Sequence, residues 1–443
     1  MRHGLDWILS YPTPTDDSPF GLTPLSIMQP GAMFEAQGQT VEYWDQRYDP
    51  LEMFDDLLKD AVNLGVSCFT GKQSGYASDL LERAKRLKPS IITHVGGHHA
   101  RLCTEDVKRE PNVDRVWPER WYGEDFFPWS PAAQRQWKRG VVQYQTSRGC
   151  PYACSFCALR SPWFAAPIER IGRELSMIAE LRGGLGEISV TDPNIGFERE
   201  KVEGEWSVHD RLTRMNELGR VFRRLGIKWD GNVRSNYITP EYRDALVDSG
   251  CVSLEFGAES GSDQFLRKVI QKGHGVDAIR RANELFADTP VSVMNSFIRG
   301  MPRETHTQWL DTMGLIDWLM ETAPKARVSV YRYAPYPGGP AYEDAIKGVA
   351  GYPRFTPPST MKGWGELKLM VDNTYWCAGM CFRLDNTRKN FHGADWALIE
   401  PYVLLARKLW RERRPEDFPG EEVESLVKAQ VVKHNLITAQ EAA

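Results

Sequence analysis

No stretch of this 443-residue chain stays apolar long enough to cross a bilayer as a helix, so no membrane span is expected. Cysteine is scarce: eight scattered residues are too few for a disulfide framework at this length and fit a reduced, cytoplasmic interior. Net charge is small as well. With 55 Lys and Arg against 59 Asp and Glu, the balance of −4 gives no reason to expect nucleic acid as a partner. There is neither an internal repeat nor a low-complexity tract. The opening Met1-Arg2-His3-Gly4-Leu5-Asp6-Trp7-Ile8-Leu9 is basic and then apolar, but Asp6 interrupts it and Pro12 ends it. It reads as a first buried strand rather than a signal peptide. Two or three domains and a sizeable core are within reach of such a length.

Against this background one short segment stands out: Thr146-Ser147-Arg148-Gly149-Cys150-Pro151-Tyr152-Ala153-Cys154-Ser155-Phe156-Cys157. Its CxxxCxxC spacing follows a predicted strand, Val141–Thr146. Thiolates are the natural ligands of iron–sulfur clusters, and three on one loop can hold three irons of a four-iron cluster while leaving the fourth open to substrate. Ferredoxin runs and zinc CxxC pairs require a fourth ligand that this spacing does not supply.

Before about position 120, strand-like runs at Trp7–Ser10, Thr40–Tyr43, Val66–Phe69 and Ile91–Val95 alternate with helix-period segments. In one of these, Tyr76–Leu87, the residues Ala77, Leu80, Leu81, Ala84 and Leu87 share a face. The alternation predicts an α/β, doubly wound parallel sheet with its ligand site beyond the carboxyl ends of the strands. Glycine and small residues populate the loops there, at 11–15, 44–47, 70–75 and 96–100. A Trp- and Pro-rich connector leads into a second series, with strands predicted at Val141–Thr146, Glu187–Thr191, Lys228–Gly231, Val252–Phe256, Val291–Phe297 and Val328–Tyr333. Six such βα units predict a partial (β/α)6 barrel. The expected division is 1–125, a linker at 126–139, the barrel at 140–345, and a mostly helical carboxyl-terminal cap at 346–443. In that cap Leu398, Tyr402, Leu405 and Leu409 form one stripe ahead of Arg411, Arg413 and Arg414.

The cysteine loop and the units after it resemble the radical S-adenosylmethionine (SAM) superfamily over most of Gly140–Tyr342. The resemblance extends to Leu254-Glu255-Phe256-Gly257-Ala258-Glu259-Ser260-Gly261, to Phe297–Thr305 and to Tyr333–Gly339. It implies that Cys150, Cys154 and Cys157 ligate a [4Fe-4S] cluster whose open iron chelates SAM. The Phe156 backbone would meet the adenine, and Asp192, Arg234 and Glu259 would help hold the amino acid and ribose of SAM. An external reductant of flavodoxin or ferredoxin type would be needed.

Together with that barrel, the amino-terminal unit resembles the cobalamin-dependent (B12-binding) radical SAM family, methyltransferase-like (class B). Gly21-Leu22-Thr23-Pro24-Leu25 would open a helix behind the corrin. Thr70, Gly71, Lys72 and Gln73, with Gly96, Gly97, His98 and His99, would border the nucleotide tail. The D-x-H-x-x-G motif of proteins that supply a lower histidine ligand is absent, so cobalamin is expected base-off, with His94, His98 and His99 in loop or tail contacts. The implied activity is methyl transfer from SAM through methylcobalamin to an unactivated carbon of a small molecule. Oxidoreductases and ring-forming enzymes like the anaerobic cyclases share the domain pair and form the alternative. RNA methylthiotransferase activity is disfavoured by the lack of a second upstream cysteine triad, and a non-catalytic sensor is a further possibility. Cys377 and Cys381 have no companion motif, and Trp364, Trp376, Trp396 and Trp410 read as core or pocket wall.

Overall fold

The computed structural model describes residues 4–15, 21–117, 126–159, 161–195, 200–202, 205–207, 211–333, 335–349, 355–366, 380–385, 389–390 and 394–395. Its amino-terminal sheet contains β1 (Leu5–Tyr11), β2 (Val41–Asp45), β3 (Ala61–Ser67), β4 (Ile92–Gly96) and β5 (Arg115–Val116) in the order β2-β1-β3-β4-β5, all parallel. This is the doubly wound topology expected, with its switch point between β1 and β3. Helices α1 (Leu25–Ala36), α2 (Leu51–Asp60) and α3 (Lys72–Leu87) cover it. In α3 the buried Ala77, Leu80, Leu81 and Ala84 form the predicted apolar face.

One strand begins earlier than its sequence suggests. β3 starts at Ala61, although Asn63 and Gly65 interrupt the apolar run. Asn63 Nδ2 donates to the Asp6 carbonyl (3.1 Å). A Cβ on Gly65 would lie 2.6 Å from Leu9 Cδ2, so both interruptions serve packing against β1.

The second sheet contains β6 (Val142–Tyr144), a hairpin of β7 (Ser147–Cys150) and β8 (Ser161–Ala165) that stands apart from it, and then β9 (Glu187–Val190). A small hairpin of β10 (Glu200–Val202) and β11 (Glu205–Ser207) follows. The series continues with β12 (Lys228–Asn232), β13 (Cys251–Glu259), β14 (Ser292–Arg299), β15 (Ala326–Arg332) and β16 (Met380–Asp385). The order β16-β15-β14-β13-β12-β9-β6 is sequential and parallel except for β16, which pairs antiparallel with β15. A singly wound run of six parallel strands is the partial barrel. β16 departs from the mostly helical cap expected over 346–443. Its sequence does alternate, with Met380, Phe382 and Leu384 separated by Cys381, Arg383 and Asp385. The stripe Leu398–Leu409, Cys377, Trp376, Trp396 and Trp410 lie outside the described residues.

Period-two patterning divides the second sheet sharply. Toward the surrounding helices it turns Ile188, Trp229, Leu254, Phe256, Val293 and Val328, all buried. The opposite, concave face carries Asp230 and Asn232 on β12, Ser253 and Glu255 on β13, and Arg327 and Ser329 on β15.

The two sheets are not joined by a bare linker. Within 126–139, residues Pro131–Trp137 form a helix whose Ser130 cap accepts from Ala133 N (3.2 Å). Its Trp137 belongs to one core shared by Trp7 and Phe34 of the first unit and Tyr144 and Ile171 of the second. After the barrel the chain returns to the first unit. The helix Met361–Glu366 lies on α3, and Trp364 is buried there and donates to Asp106 (3.0 Å). Trp364 is therefore a core residue. Among the described residues no helix is long and apolar enough to cross a membrane.

Candidate functional site

β6 ends at Tyr144, and the chain then enters the β7–β8 hairpin, whose loop carries the three cysteines. Asp192, fully buried just beyond β9, fixes this entry. Its carboxylate accepts from Thr146 N (2.7 Å), Thr146 Oγ1 (2.6 Å) and Ser147 Oγ (2.6 Å). Burial pushes the Asp192 pKa up, and these donors oppose the rise. Asp192 thus acts on the cysteine loop from behind, whereas the family resemblance places it against SAM.

None of the three cysteines is in a disulfide; Cys154 is buried and Cys150 and Cys157 are partly so. Burial pushes the Cys150 and Cys157 thiols up. Backbone N–H groups of Tyr152 and Leu159 oppose this, as do the Arg234 and Lys272 charges at Cys150. The thiols lie near enough to influence one another electrostatically. Among the described residues no three His, Cys, Asp or Glu side chains converge on a single ion. A cubane differs from a lone zinc in that each thiolate takes a different iron. The donor set, three soft thiols beside two cations, fits an anionic cluster.

The loop is clamped at Ser155, whose N donates to Ile270 O (2.8 Å) and whose carbonyl accepts from Ala341 N (2.9 Å). Gly339 presses on the next peptide: a Cβ there would sit 2.8 Å from the Phe156 carbonyl carbon and oxygen. The Phe156 backbone is held as a fixed edge, consistent with the expected adenine contact.

Arg234 and Glu259 converge on this loop from the ends of β12 and β13. The Arg234 guanidinium stacks 3.8 Å above the Tyr152 ring, donates to the Lys272 carbonyl and reaches Asn236 Oδ1 (3.3 Å). Glu259, left-handed at φ 62°, forms a buried ion pair with Lys272 Nζ (2.7 Å). His274 lies beside them, and burial followed by the Arg234 charge holds its pKa down at about 4. Tyr152 also hydrogen-bonds Tyr237 through the hydroxyls, and Arg211 stacks 3.3 Å over Tyr237. Lys272, His274, Tyr237 and Arg211 escaped sequence reasoning. The one available signal was the run Gln271-Lys272-Gly273-His274-Gly275, where two glycines flank charged groups.

In the amino-terminal unit the predicted loops meet at the switch point. Gln73 Nε2 donates to Thr13 Oγ1 (2.7 Å), bridging the loops after β1 and β3. Gly71 (φ 109°) and Gly97 (φ 95°) are left-handed, and a Cβ on Gly97 would lie 2.8 Å from the Cys68 carbonyl. Thr70, Gln73 and His99 are buried beneath this surface, with Thr70 Oγ1 3.1 Å from His99 Nδ1. Lys72, Gly96, Gly97 and His98 form the rim beside the exposed Phe69, whose ring is 5.1 Å from that of His98. A glycine-edged rim with an apolar ring suits a flat ligand lying on the backbone. Buried His99 is held near pKa 4 by burial and supports the rim from within. His94 is a core residue with Nε2 3.1 Å from Asn63 Oδ1.

The two regions touch. The helix His98–Leu102 opens at the Gly97 rim, and its Arg101 donates to the Ala158 carbonyl (3.4 Å), one residue past Cys157. Gly338 is packed between Leu102 and Ala158.

Residues 144–316 match the radical SAM superfamily. A tRNA-2-methylthio-N(6)-dimethylallyladenosine synthase of Agrobacterium fabrum is 24% identical over 313 residues, covering 66% of this chain and 65% of that protein. An uncharacterized methyltransferase of Pyrococcus horikoshii is 28% identical over 217 residues, 47% of this chain and 42% of that one. The chain therefore spans less than two thirds of the length of these curated relatives. Among solved structures, the radical SAM methyltransferase TsrM from Kitasatospora setae, with cobalamin and a [4Fe-4S] cluster bound, superposes with TM-score 0.58 at 16% identity, covering 78% of this chain and 75% of that one. The cobalamin-dependent SAM radical enzyme OxsB gives TM-score 0.57 at 17% identity over 73% of this chain and 53% of that one. Residues 144–316 thus form a radical SAM-like unit, and the chain shares the two-sheet fold of the cobalamin-binding TsrM and OxsB structures.

Proposed function

We propose that the protein is a cobalamin-dependent radical SAM methyltransferase that places a methyl group from SAM on an unactivated carbon of a small molecule. The observation that carries this reading is the contact between the two sites. The glycine-edged rim of the doubly wound sheet continues into His98–Leu102, and that helix rests on Ala158 at the end of the cysteine loop. When bound, the cluster supplies the electron that cleaves SAM and the cobalamin supplies a metal able to carry a methyl group.

The chain's own residues prepare the site. Cys150, Cys154 and Cys157 hold the cluster, Asp192 fixes the loop that presents them, and Arg234 and Lys272 offset the negative charge. Gly339 sets the Phe156 peptide as the adenine edge. Thr70, Gly71, Lys72 and Gln73 with Gly96, Gly97, His98 and His99 shape the cobalamin site, directly at the rim or from beneath it. An external electron donor completes the cycle. Methylthio transfer of the kind named for the tRNA-modifying relatives is the weaker reading. Only Cys68 and Cys103 precede the triad, and two thiols cannot build a second three-thiolate site upstream.

The experiment is anaerobic reconstitution with iron, sulfide, hydroxocobalamin and methyl-labelled SAM under a low-potential reductant. Expected are about four irons per chain, cobalamin without axial nitrogen splitting in its cobalt(II) resonance, and label on the cobalt. Both S-adenosylhomocysteine and 5′-deoxyadenosine should form. Replacing the three cysteines with alanine should remove the iron and SAM cleavage. Deoxyadenosine without label on cobalt or product replaces the methyltransferase with an oxidoreductase or ring-forming enzyme.

A further inference from the structure

We propose that Tyr237 and Arg211 are positioning residues of the cluster: they hold Tyr152 so that its peptide N–H stays on the Cys150 sulfur, which raises the reduction potential. The inference rests on the cluster of the proposed function and is independent of the cobalamin.

Tyr152 stands between two of the cluster thiols, Cys150 and Cys154, and its backbone N–H points at the Cys150 sulfur. Hydrogen bonds to the sulfurs, net charge and burial set the potential of such a cluster. An added electron makes the thiolates more negative. A donor or cation beside them therefore stabilises the reduced form more than the oxidised one. The Tyr152 N–H is such a donor, and the Arg234 and Lys272 charges that reach Cys150 are such cations.

The Tyr152 side chain anchors this peptide, and one short turn grips it at two points. Tyr237 N donates to the Arg234 carbonyl (3.0 Å) and closes the 3-10 turn Ser235–Tyr237. Residues three apart in such a turn project to the same side. Arg234 accordingly covers the Tyr152 ring at 3.8 Å, while the buried Tyr237 meets its hydroxyl. Asn194 Oδ1 accepts from Arg234 N (3.1 Å) and ties the turn to the segment after β9.

Arg211 closes the far end of this row. Its guanidinium lies 3.3 Å over the Tyr237 ring and 5.9 Å from that of Tyr242. Tyr242 is itself fixed, its hydroxyl donating to the Ile195 carbonyl (2.9 Å). Burial lowers the Arg211 pKa, but a guanidinium starts high enough to stay charged at neutral pH. Arg211 Nε has no hydrogen-bond partner among the described residues, so ring stacking retains that edge of the group. Aliphatic neighbours would pack the two phenols without the desolvation cost of two guanidiniums. The cations serve to fix the rings, and through them the peptide at Cys150.

The test is a redox titration of the full reconstituted chain with titanium(III) citrate under anaerobic conditions, without SAM. It is followed by electron paramagnetic resonance of the reduced cluster. Each titanium(III) gives one electron to one cluster, with no proton or bond transferred. Tyr237→Phe keeps the ring and the Arg211 contact and removes only the hydroxyl. At a fixed potential it should lower the reduced-to-oxidised ratio about tenfold, which for one electron is about 59 mV. Tyr152→Phe should match it, and the double variant should fall no further, because both singles break one bond. Arg211→Gln should give a smaller fall that vanishes in the Tyr152→Phe background. Iron, measured on every sample, should stay at the wild-type level, since all cysteines remain. Unshifted or raised potentials in both phenylalanine variants at full iron overturn the proposal, and so do additive shifts in the double variant. Loss of iron from those variants overturns it too, because the hydroxyls would then retain the cluster rather than tune it. Shifted potentials in a chain that puts no label on cobalt remove the methyltransferase reading and leave this inference standing. Label on cobalt with unshifted potentials does the reverse.

Discussion

Lys272 Nζ lies 2.7 Å from Glu259 Oε1, and the two side chains are 8% and 9% exposed. A pair this buried is dangerous to break singly, because the surviving charge is left without compensation. Lys272→Met should therefore lower the unfolding midpoint of the cofactor-free protein at a cost of roughly 3–5 kcal/mol. The double variant Glu259→Gln/Lys272→Met should recover part of that loss. Equal midpoints for the single and double variants in urea titrations would show that the two charges are not coupled.

Asp192 supports a prediction about assembly rather than contact. Its oxygens accept three hydrogen bonds from Thr146 and Ser147, all donors pointing inward. Asparagine offers one acceptor oxygen and turns an NH2 toward a donor, so Asp192→Asn should cost about 1.5–3 kcal/mol or more. Reconstituted iron should fall below half of wild type while all three cysteines remain present. Full iron retention would show that the cysteine loop keeps its shape without this carboxylate.

Much of this was legible in the sequence, for identifiable reasons. The cysteine loop is a contiguous motif, and its spacing alone carries chemistry. Strands such as Lys228–Asn232 and Glu187–Val190 announce themselves through alternating apolar residues. The same alternation contained the polar residues of the concave face: Asp230 and Asn232 bracket Gly231, and Ser253 and Glu255 bracket Leu254. Without knowing that these strands are neighbours, it reads as ordinary half-exposed patterning. Lys272 was invisible for a different reason. Its partner Glu259 is 13 residues away, and the pair exists only once Gln271, left-handed at φ 58°, turns the chain back. Thr70 and His99 were placed at the correct loops, but only tertiary packing decides that their side chains bond each other below the surface. β16 lay in a segment whose helical stripe further on drew the reading toward helix.

The return of the chain to its first domain depends on two glycines. A Cβ on Gly365 would lie 2.7 Å from the Gly75 Cα and N, so the helices touch backbone to backbone at that crossing. The same contact aligns Ser74 Oγ with the Met361 carbonyl (2.8 Å) and Met361 N with Glu110 Oε1 (2.6 Å). Gly365→Leu should force the helices apart and sever these bonds. Hydrogen exchange should then rise at 361–366 and at the start of α3, with β12 and β13 unchanged. Unaltered protection at 361–366 would mean that the crossing tolerates the larger side chain.

Three buried histidines set an acid limit on stability: His274 beside the cysteine loop, and the pair His94 and His99 in the first unit. Burial holds the pKa of all three at about 4, against an ordinary value of 6.5. Below pH 6.5 the unfolded chain takes up protons that the folded chain refuses until near pH 4. Their contribution is thus complete above pH 6.5 and declines as the pH falls toward 4. The midpoint of thermal unfolding followed by circular dichroism should drop across that window. Replacing either His94 or His99 with asparagine should flatten the decline relative to wild type. A slope unaffected by both substitutions would place these two rings in contact with water.

Glu304 has the opposite sign. It is buried next to Arg299, with Oε2 accepting from Gly300 N (2.5 Å), and burial raises its pKa to about 7 from an ordinary 4.5. Between those two values the folded protein keeps a proton that the unfolded chain releases, so stability is lost as the pH rises from 4.5 through 7. Glutamine preserves the acceptor for Gly300 without the ionisation. Glu304→Gln should match wild type near pH 4.5 and become progressively more stable above it, by at most about 3 kcal/mol at pH 8. The histidine limb and this one overlap between pH 4.5 and 6.5. The diagnostic quantity is therefore the difference between variant and wild type at each pH, in which the histidine contributions cancel. If that difference stays flat from pH 4.5 to 8, Glu304 ionises as readily folded as unfolded, with Arg299 compensating its burial completely.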